Sequence, residues 1–296
     1  MRSRLKRRRS SRSRSRSASN WFWRAVVFGF VVIIAVPMLA IVGVSLESLS
    51  EIDQWSVVPR HFLWRNYVEA WNSIGLGSFL LHSVIVAVSC VVIVVIVAVG
   101  FAYILARFRF RLRSTLALGI LVGQLIPGVT VLLPIYVLYA DAETTIHLQL
   151  IGGFNGLILV DAAAAIPLAV WLLISQFEGI PRELDEAAVM DGASSTRTLF
   201  SVLVPVLLPG IAVVGIFSFL AAWNDVLFAS VLTSEATRTV AVGLQEYVIS
   251  AGSSGGAVLW NELMAAALVS AVPAVVFFLV AQRYIVRGLT AGAVRG

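Results

Sequence analysis

The chain has 296 residues, 59% of them apolar and only 13% charged, with a mean hydropathy of +0.93, whereas ordinary soluble domains carry about a quarter charged residues. A soluble core of this length cannot hide so much Val, Leu, Ile, Ala and Phe, so the composition points to a bilayer. The formal charge of +6 is concentrated ahead of the first apolar stretch, which excludes a general basic surface for nucleic acid, and the single cysteine, Cys90, excludes a disulfide framework or a cysteine metal site.

Residues 1–23 form a basic Ser/Arg-rich tail containing Arg2, Arg4, Lys6, Arg7, Arg8, Arg9, Arg12, Arg14 and Arg16. Such runs bind nucleic acid in some proteins. Directly before a span they instead fix its orientation and attract anionic lipid, and that is the reading taken here. Six spans follow: Arg24–Leu46, Phe79–Ala106, Thr115–Tyr139, Phe154–Gln176, Leu203–Leu232 and Trp260–Tyr284. Each has the length needed to cross ~30 Å of hydrocarbon. The first is longer than the apolar region of a signal peptide, about 7–15 residues, and is expected to be retained. Residues 47–77, with Trp55, Trp64, Tyr67 and Trp71, read as a segment lying at the interface. The loop 140–153 is short. Pro205, Pro209 and Gly210 interrupt the start of span five, which membrane helices tolerate where neighbours satisfy the freed carbonyls. The stretch 251–256, Ala-Gly-Ser-Ser-Gly-Gly, is expected to be flexible. The transmembrane domain therefore covers 24–282, and residues 283–296 form a C-terminal tail.

Basic residues orient the bundle. With the N-terminus in the cytoplasm, Arg24, Arg107, Arg109, Arg111, Arg113, Arg182, Arg197, Arg283, Arg287 and Arg295 lie inside, and only Arg60, Arg65 and Arg238 lie outside. Six spans then return both termini to the cytoplasm.

The loop 177–200, between spans four and five, differs from everything around it. From Phe177 to Ser194 it reads FEGIPRELDEAAVMDGAS. Pro181 suits a first helical turn, and the acids that follow complement the helix dipole. Glu183 to Met190 favour a helix, Asp191-Gly192 breaks it through a left-handed turn, and Ser194 or Ser195 caps a second helix leading into span five. Ala187 and Ala188 permit close approach of another protein surface, and Glu186 offers a charge for an arginine there. An ordinary polar connection explains neither the length nor the order of these residues.

The segment Glu186-Ala187-Ala188-Val189-Met190-Asp191-Gly192-Ala193, followed by Phe200, Pro205 and Pro209, resembles the EAA loop of bacterial ABC importer permeases. The C-terminal run Gln282–Gly296 resembles the tail of the maltose-type carbohydrate permeases. Ala106-Arg107-Phe108-Arg109-Phe110, Pro127, Pro134 and Trp223-Asn224-Asp225 agree with it. The resemblance extends from about residue 60 to the end. It implies an all-α, six-helix integral membrane protein with the type I ABC importer permease fold, in the bacterial inner membrane. It also implies a second permease subunit, two cytoplasmic ATPase subunits that carry ATP and Mg, an extracellular binding protein and a small sugar as cargo. By the same resemblance Arg182, Glu183, Glu186, Ala187, Ala188, Asp191 and Gly192 form the coupling element. Gly288, Thr290, Gly292 and Gly296 would reach the ATPase dimer.

The residues themselves are compatible with that. A phosphate-binding G-x-x-x-x-G-K-[ST] loop needs a lysine, and the only one is Lys6 in the tail. Energy must come from a partner or from an ion gradient, and a gradient-driven secondary transporter is the competing reading. Asp161 bears on the choice, because a lone carboxylate within a span must face a cavity or a partner. Three roles stay open for it at this stage: hydrogen bonding to substrate, structural pairing and proton coupling. Gln124, Asn155, Trp223, Asn224 and Asp225 are further residues assigned to the same path, although Asp225 can equally mark a bend. His61, His82 and His147 are scattered, and the chain shows no nucleophile–base pair, metal cluster or cofactor motif. It is not expected to be an enzyme.

Overall fold

In a computed structural model the chain is described at residues 3–52, 61–253 and 258–293, with side chains at 21, 23–50, 52, 61–251 and 258–285. Thirteen α-helices occur in the described residues: α1 Ser3–Leu46, α2 Leu49–Ile52, α3 Arg65–Ser73, α4 Leu76–Arg107, α5 Arg113–Gly123, α6 Gly128–Ile146, α7 Phe154–Glu178, α8 Glu183–Met190, α9 Ser195–Arg197, α10 Val204–Trp223, α11 Ala229–Leu232, α12 Val240–Ser253 and α13 Trp260–Ala293. A π-helical turn, Thr198–Leu203, joins α9 to α10. Six stretches are long and apolar enough to cross a membrane: Trp23–Leu46, Leu76–Arg107, Gly128–Ile146, Phe154–Glu178, Ser195–Trp223 and Trp260–Ile285. The basic tail continues into the first of these as one helix from Ser3.

The chain divides into two compact units, Met1–Ala70 with Leu259–Leu268, and Trp71–Val258 with Val269–Gly296. In the first unit Asn66, 3% exposed, answers the carbonyls at the end of α1. Its amide donates to Ser45 O at 2.9 Å and to Glu47 O at 3.0 Å, and its oxygen accepts from Asn261 Nδ2 at 3.2 Å. Helix ends leave such carbonyls without internal partners, so a buried amide there closes the segment that the sequence places at the interface. Trp64 and Trp71 are exposed as expected, and Trp55 lies outside the described residues.

In the second unit α4 packs on α7 and α10. The cause is a stripe of mostly small buried residues on α4: Ser83, Ala87, Cys90, Val94, Ala98, Ala102 and Ala106. Their three- and four-residue spacing keeps them on one helix face, and small side chains let backbones approach. The α10 side shows the same economy, since a Cβ added at Gly210 would stand 2.9 Å from Gln176 Cγ.

Two spans and two connecting segments differ from the sequence expectation. Span three is not one helix over Thr115–Tyr139 but two, α5 and α6, separated at residues 124–127. Pro127 lacks an N–H and turns the preceding residue away from helix, with Gly123 and Gly128 adding weakness on each side. Span five stops at Trp223 rather than Leu232, because the Asp225 carboxylate accepts from Ala229 N (2.8 Å) and Phe228 N (3.4 Å) and starts α11 instead. The expected loop 140–153 begins with two further turns of α6. Glu143 Oε1 then ties its end by accepting from Leu150 N at 2.8 Å and Ile151 N at 2.6 Å. The stretch expected to be flexible is in part helical. Residues 251–253 belong to α12, which starts where Val240 N donates to Ser83 Oγ (2.8 Å), and 254–256 lie outside the described residues.

Candidate functional site: an acidic cavity and a helical loop

The loop end of the second unit is built as follows. α7 ends at Glu178, Pro181 precedes α8, and Glu183, Asp185 and Glu186 occupy its first turn. Three backbone bonds close α8: Asp191 N to Ala187 O (3.0 Å), Gly192 N to Val189 O (2.9 Å) and Ala193 N to Ala188 O (2.9 Å). They require a left-handed residue, and Gly192 has φ 78°. Ser194 caps the next helix, its Oγ accepting from Arg197 N at 3.3 Å. Of the two small residues, Ala188 is 7% exposed and turned onto its own chain, so only Ala187 of the pair faces outward. Met190 and Val189 are 87% and 61% exposed, and Arg182, Glu183, Glu186 and Asp191 are exposed beside them. This eight-residue helix therefore exposes Met and Val between acids.

Two arginines hold this loop from elsewhere in the chain. Arg107, the last residue of α4, places its guanidinium 3.0 Å from Asp185 Oδ2 and 3.1 Å from Ile180 O. Arg113, at the start of α5, pairs with Glu178 Oε1 at 3.2 Å. Neither pairing was foreseen. The sequence signals for Arg107 are its place at a span end and in the run Ala106–Phe110 that carries the resemblance, and neither names a partner.

The second feature is a cavity of about 310 Å³ among the helices, lined by Gln124, Asp161, Ala164, Phe217, Ser218 and Asp225 together with other apolar side chains. Asp161 sits in the second turn of α7, is 7% exposed, and no hydrogen bond from the described residues reaches its Oδ2. Gln124 lies in the gap between α5 and α6 and donates to Ala164 O at 2.6 Å, in the turn before Pro167. Burial raises the Asp225 carboxyl above the usual carboxylate range, and the N–H groups of Ala229, Phe228 and Leu227 pull it back down. The lining is apolar with two carboxylates, an amide and a hydroxyl. It suits a solute with a hydrocarbon framework and many O–H donors.

Three residues assigned to the path from sequence lie outside this cavity. Trp223 is 6% exposed and stacks on Phe219 (centroids 5.3 Å apart), which stacks on Phe277 (4.2 Å). Its indole belongs to an aromatic core. Asn224 ends α10 with its amide on Leu220 O at 2.8 Å. Asn155 is exposed in the first turn of α7. Of the C-terminal set, Gly288, Thr290 and Gly292 fall in α13 beyond its described side chains, and Gly296 lies outside the described residues. Among the described residues no cluster of His, Cys, Asp or Glu could hold a metal.

Six membrane-capable helices, with an exposed helical loop between two of them, match the construction of a transport permease. The family model for the binding-protein-dependent transport system inner membrane component matches residues 98–291, and the chain belongs to that family. It is 33% identical over 269 residues to the diacetylchitobiose uptake system permease protein NgcG of Streptomyces coelicolor, covering 89% of this chain and 85% of that one. It is also 33% identical over 286 residues to the maltose/maltodextrin transport system permease protein MalG of Photorhabdus laumondii, covering 92% and 94%. A crystal structure of a bacterial ABC transporter involved in the import of the acidic polysaccharide alginate matches with a TM-score of 0.76 at 21% identity, over 92% of this chain and 98% of that one. The fold is thus that of an ABC importer permease, and the chain is a multi-pass membrane protein of that class. The gradient-driven secondary transporter is set aside by the family match.

Proposed function

We propose that this chain is the permease subunit of an ATP-driven importer that carries a carbohydrate into the cytoplasm, and that α8 with its Gly192 turn is the element through which a separate ATPase drives it. The observation that carries the reading is the bare face of α8, with Glu186 and Ala187 beside Met190, 87% exposed, and Val189, 61% exposed. The carbohydrate assignment is supported by the uptake systems for which the relatives are named and by the hydroxyl-accepting groups of the cavity. The arrangement calls for a second permease subunit, two ATPase subunits holding ATP and Mg, and an extracellular binding protein, with Gly288, Thr290, Gly292 and Gly296 near the ATPase dimer. Hydrolysis is assigned to the separate ATPase. It lies in the bacterial inner membrane with both termini in the cytoplasm, a placement supported by the distribution of its basic residues.

Two substitutions test the coupling element. Glu186→Lys sets a positive charge against a basic ATPase partner. Gly192→Val forces a β-branched residue to φ 78°, at about 1–3 kcal/mol of backbone strain. A Cβ there meets nothing within 4 Å, so the strain is conformational and not steric. Both changes leave the spans untouched. The expected result is weaker co-purification of the ATPase or loss of its stimulated hydrolysis in liposomes. Normal binding and stimulation in both variants would contradict the assignment.

A further inference from the structure

We propose that Arg107 is a positioning residue for coupling: it clasps α8 to the end of α4, so that displacement of the loop reaches the central helix and not only the two spans it connects. The inference rests on reading the loop as the docking element.

The geometry is specific. A loop between α7 and α10 is joined by covalent chain to those two helices alone. Here Nη2 of Arg107, on a side chain 9% exposed, reaches two points 5 residues apart on the entry to α8: it donates to the Ile180 carbonyl just before Pro181 and forms an ion pair with the Asp185 carboxylate in the first helical turn. Both contacts run through the one nitrogen, the carbonyl as a hydrogen bond and Asp185 Oδ2 as an ion pair without a hydrogen bond, so charge and reach carry the tie. Pro181 stiffens the segment between them by fixing its own φ. The Arg113–Glu178 pair holds the loop's root from α5 in the same way, but it is more open, with side chains 36% and 56% exposed, so it is the weaker tie.

What the clasp grips is equally defined. α4 is the helix whose stripe of small buried residues packs on both α7 and α10. Close-packed helices move as bodies rather than deforming continuously. A pull on Arg107 therefore acts along α4, against the same α7 and α10 that line the acidic cavity through Asp161, Ala164 and Ser218. Without the clasp, α8 is tied through its packing and the chain at Gly179 and Ala193 to α7 and α10, with no ion pair to α4 among the described residues. A purely structural staple would make a different prediction, namely that breaking it loosens the loop and releases the ATPase.

The test uses the complete complex with its ATPase in proteoliposomes, in a Cys90→Ala background carrying Ala164→Cys as a reporter in the cavity. Maleimide labelling of that cysteine is measured with and without ATP–vanadate trapping, alongside the amount of ATPase retained. In the parent, trapping changes the labelling rate several-fold. Arg107→Ala and Asp185→Ala keep the ATPase bound but lose that change, and Arg107→Lys keeps part of it. A response equal to the parent in either alanine variant overturns the clasp. So does a loss of response that simply tracks loss of bound ATPase. If the parent itself fails to respond with its ATPase bound and trapped, the reading of the loop fails, a result distinct from failure of the clasp alone.

Discussion

Asp161 shows what a single residue can and cannot disclose. As a carboxylate in the middle of an apolar run it stands out in the sequence, and the cost of burying a charge predicts that it faces a cavity or a partner. The structure gives it a cavity, with Oδ2 unanswered by the described residues. An unmet buried acceptor costs about 1–3 kcal/mol, a penalty that a bound hydroxyl would relieve. Asp161→Asn keeps the shape but replaces one acceptor oxygen with an NH2 donor, so uptake is expected to fall several-fold while the ATPase still co-purifies. Wild-type uptake kinetics in that variant would return Asp161 to helix packing. Its companions were legible only in part. Gln124 reaches the cavity because the helix breaks beside it, and Trp223 misses it because Phe219 and Phe277 offer a stack. Neither fact is carried by hydropathy. Gly192 was legible in full, because a helix stop after Met190 leaves few residue types able to take positive φ.

At the scale of elements, long apolar stretches identified the spans, and local backbone chemistry moved their ends. Span three splits where Pro127 follows Gly123, and span five ends where Asp225 captures the N–H groups of Phe228 and Ala229. Both are short-range hydrogen-bond effects that a hydropathy window averages away. The Arg107–Asp185 and Arg113–Glu178 ties were out of reach for another reason. They join residues far apart in sequence, and charge alone names no partner. The orientation, by contrast, rests on charge alone and can be tested element by element. Reporters fused after Arg113 and after Gln176 are expected to read as cytoplasmic, and fusions after Leu46 and after Glu235 as external. A cytoplasmic signal from the Glu235 fusion would break the six-span order.

For the molecule as a whole, composition pointed to the membrane, the 177–200 loop pointed to a partner, and the family match over residues 98–291 joins the two. The energetic logic follows from the residues. The one lysine lies in the tail, so a phosphate-binding loop of the Walker type cannot form within this chain. The cavity holds polar acceptors but, among the described residues, no metal-ligand cluster. In the proposed account the work of moving solute enters through the exposed loop. The direct measurement is solute uptake by proteoliposomes holding the assembled complex, with ATP sealed on the ATPase side and ionophores present to abolish every ion gradient. The account predicts that uptake persists under those conditions and stops when ATP is omitted or when the ATPase is left out. Uptake that needs no ATP and follows an imposed ion gradient would contradict it.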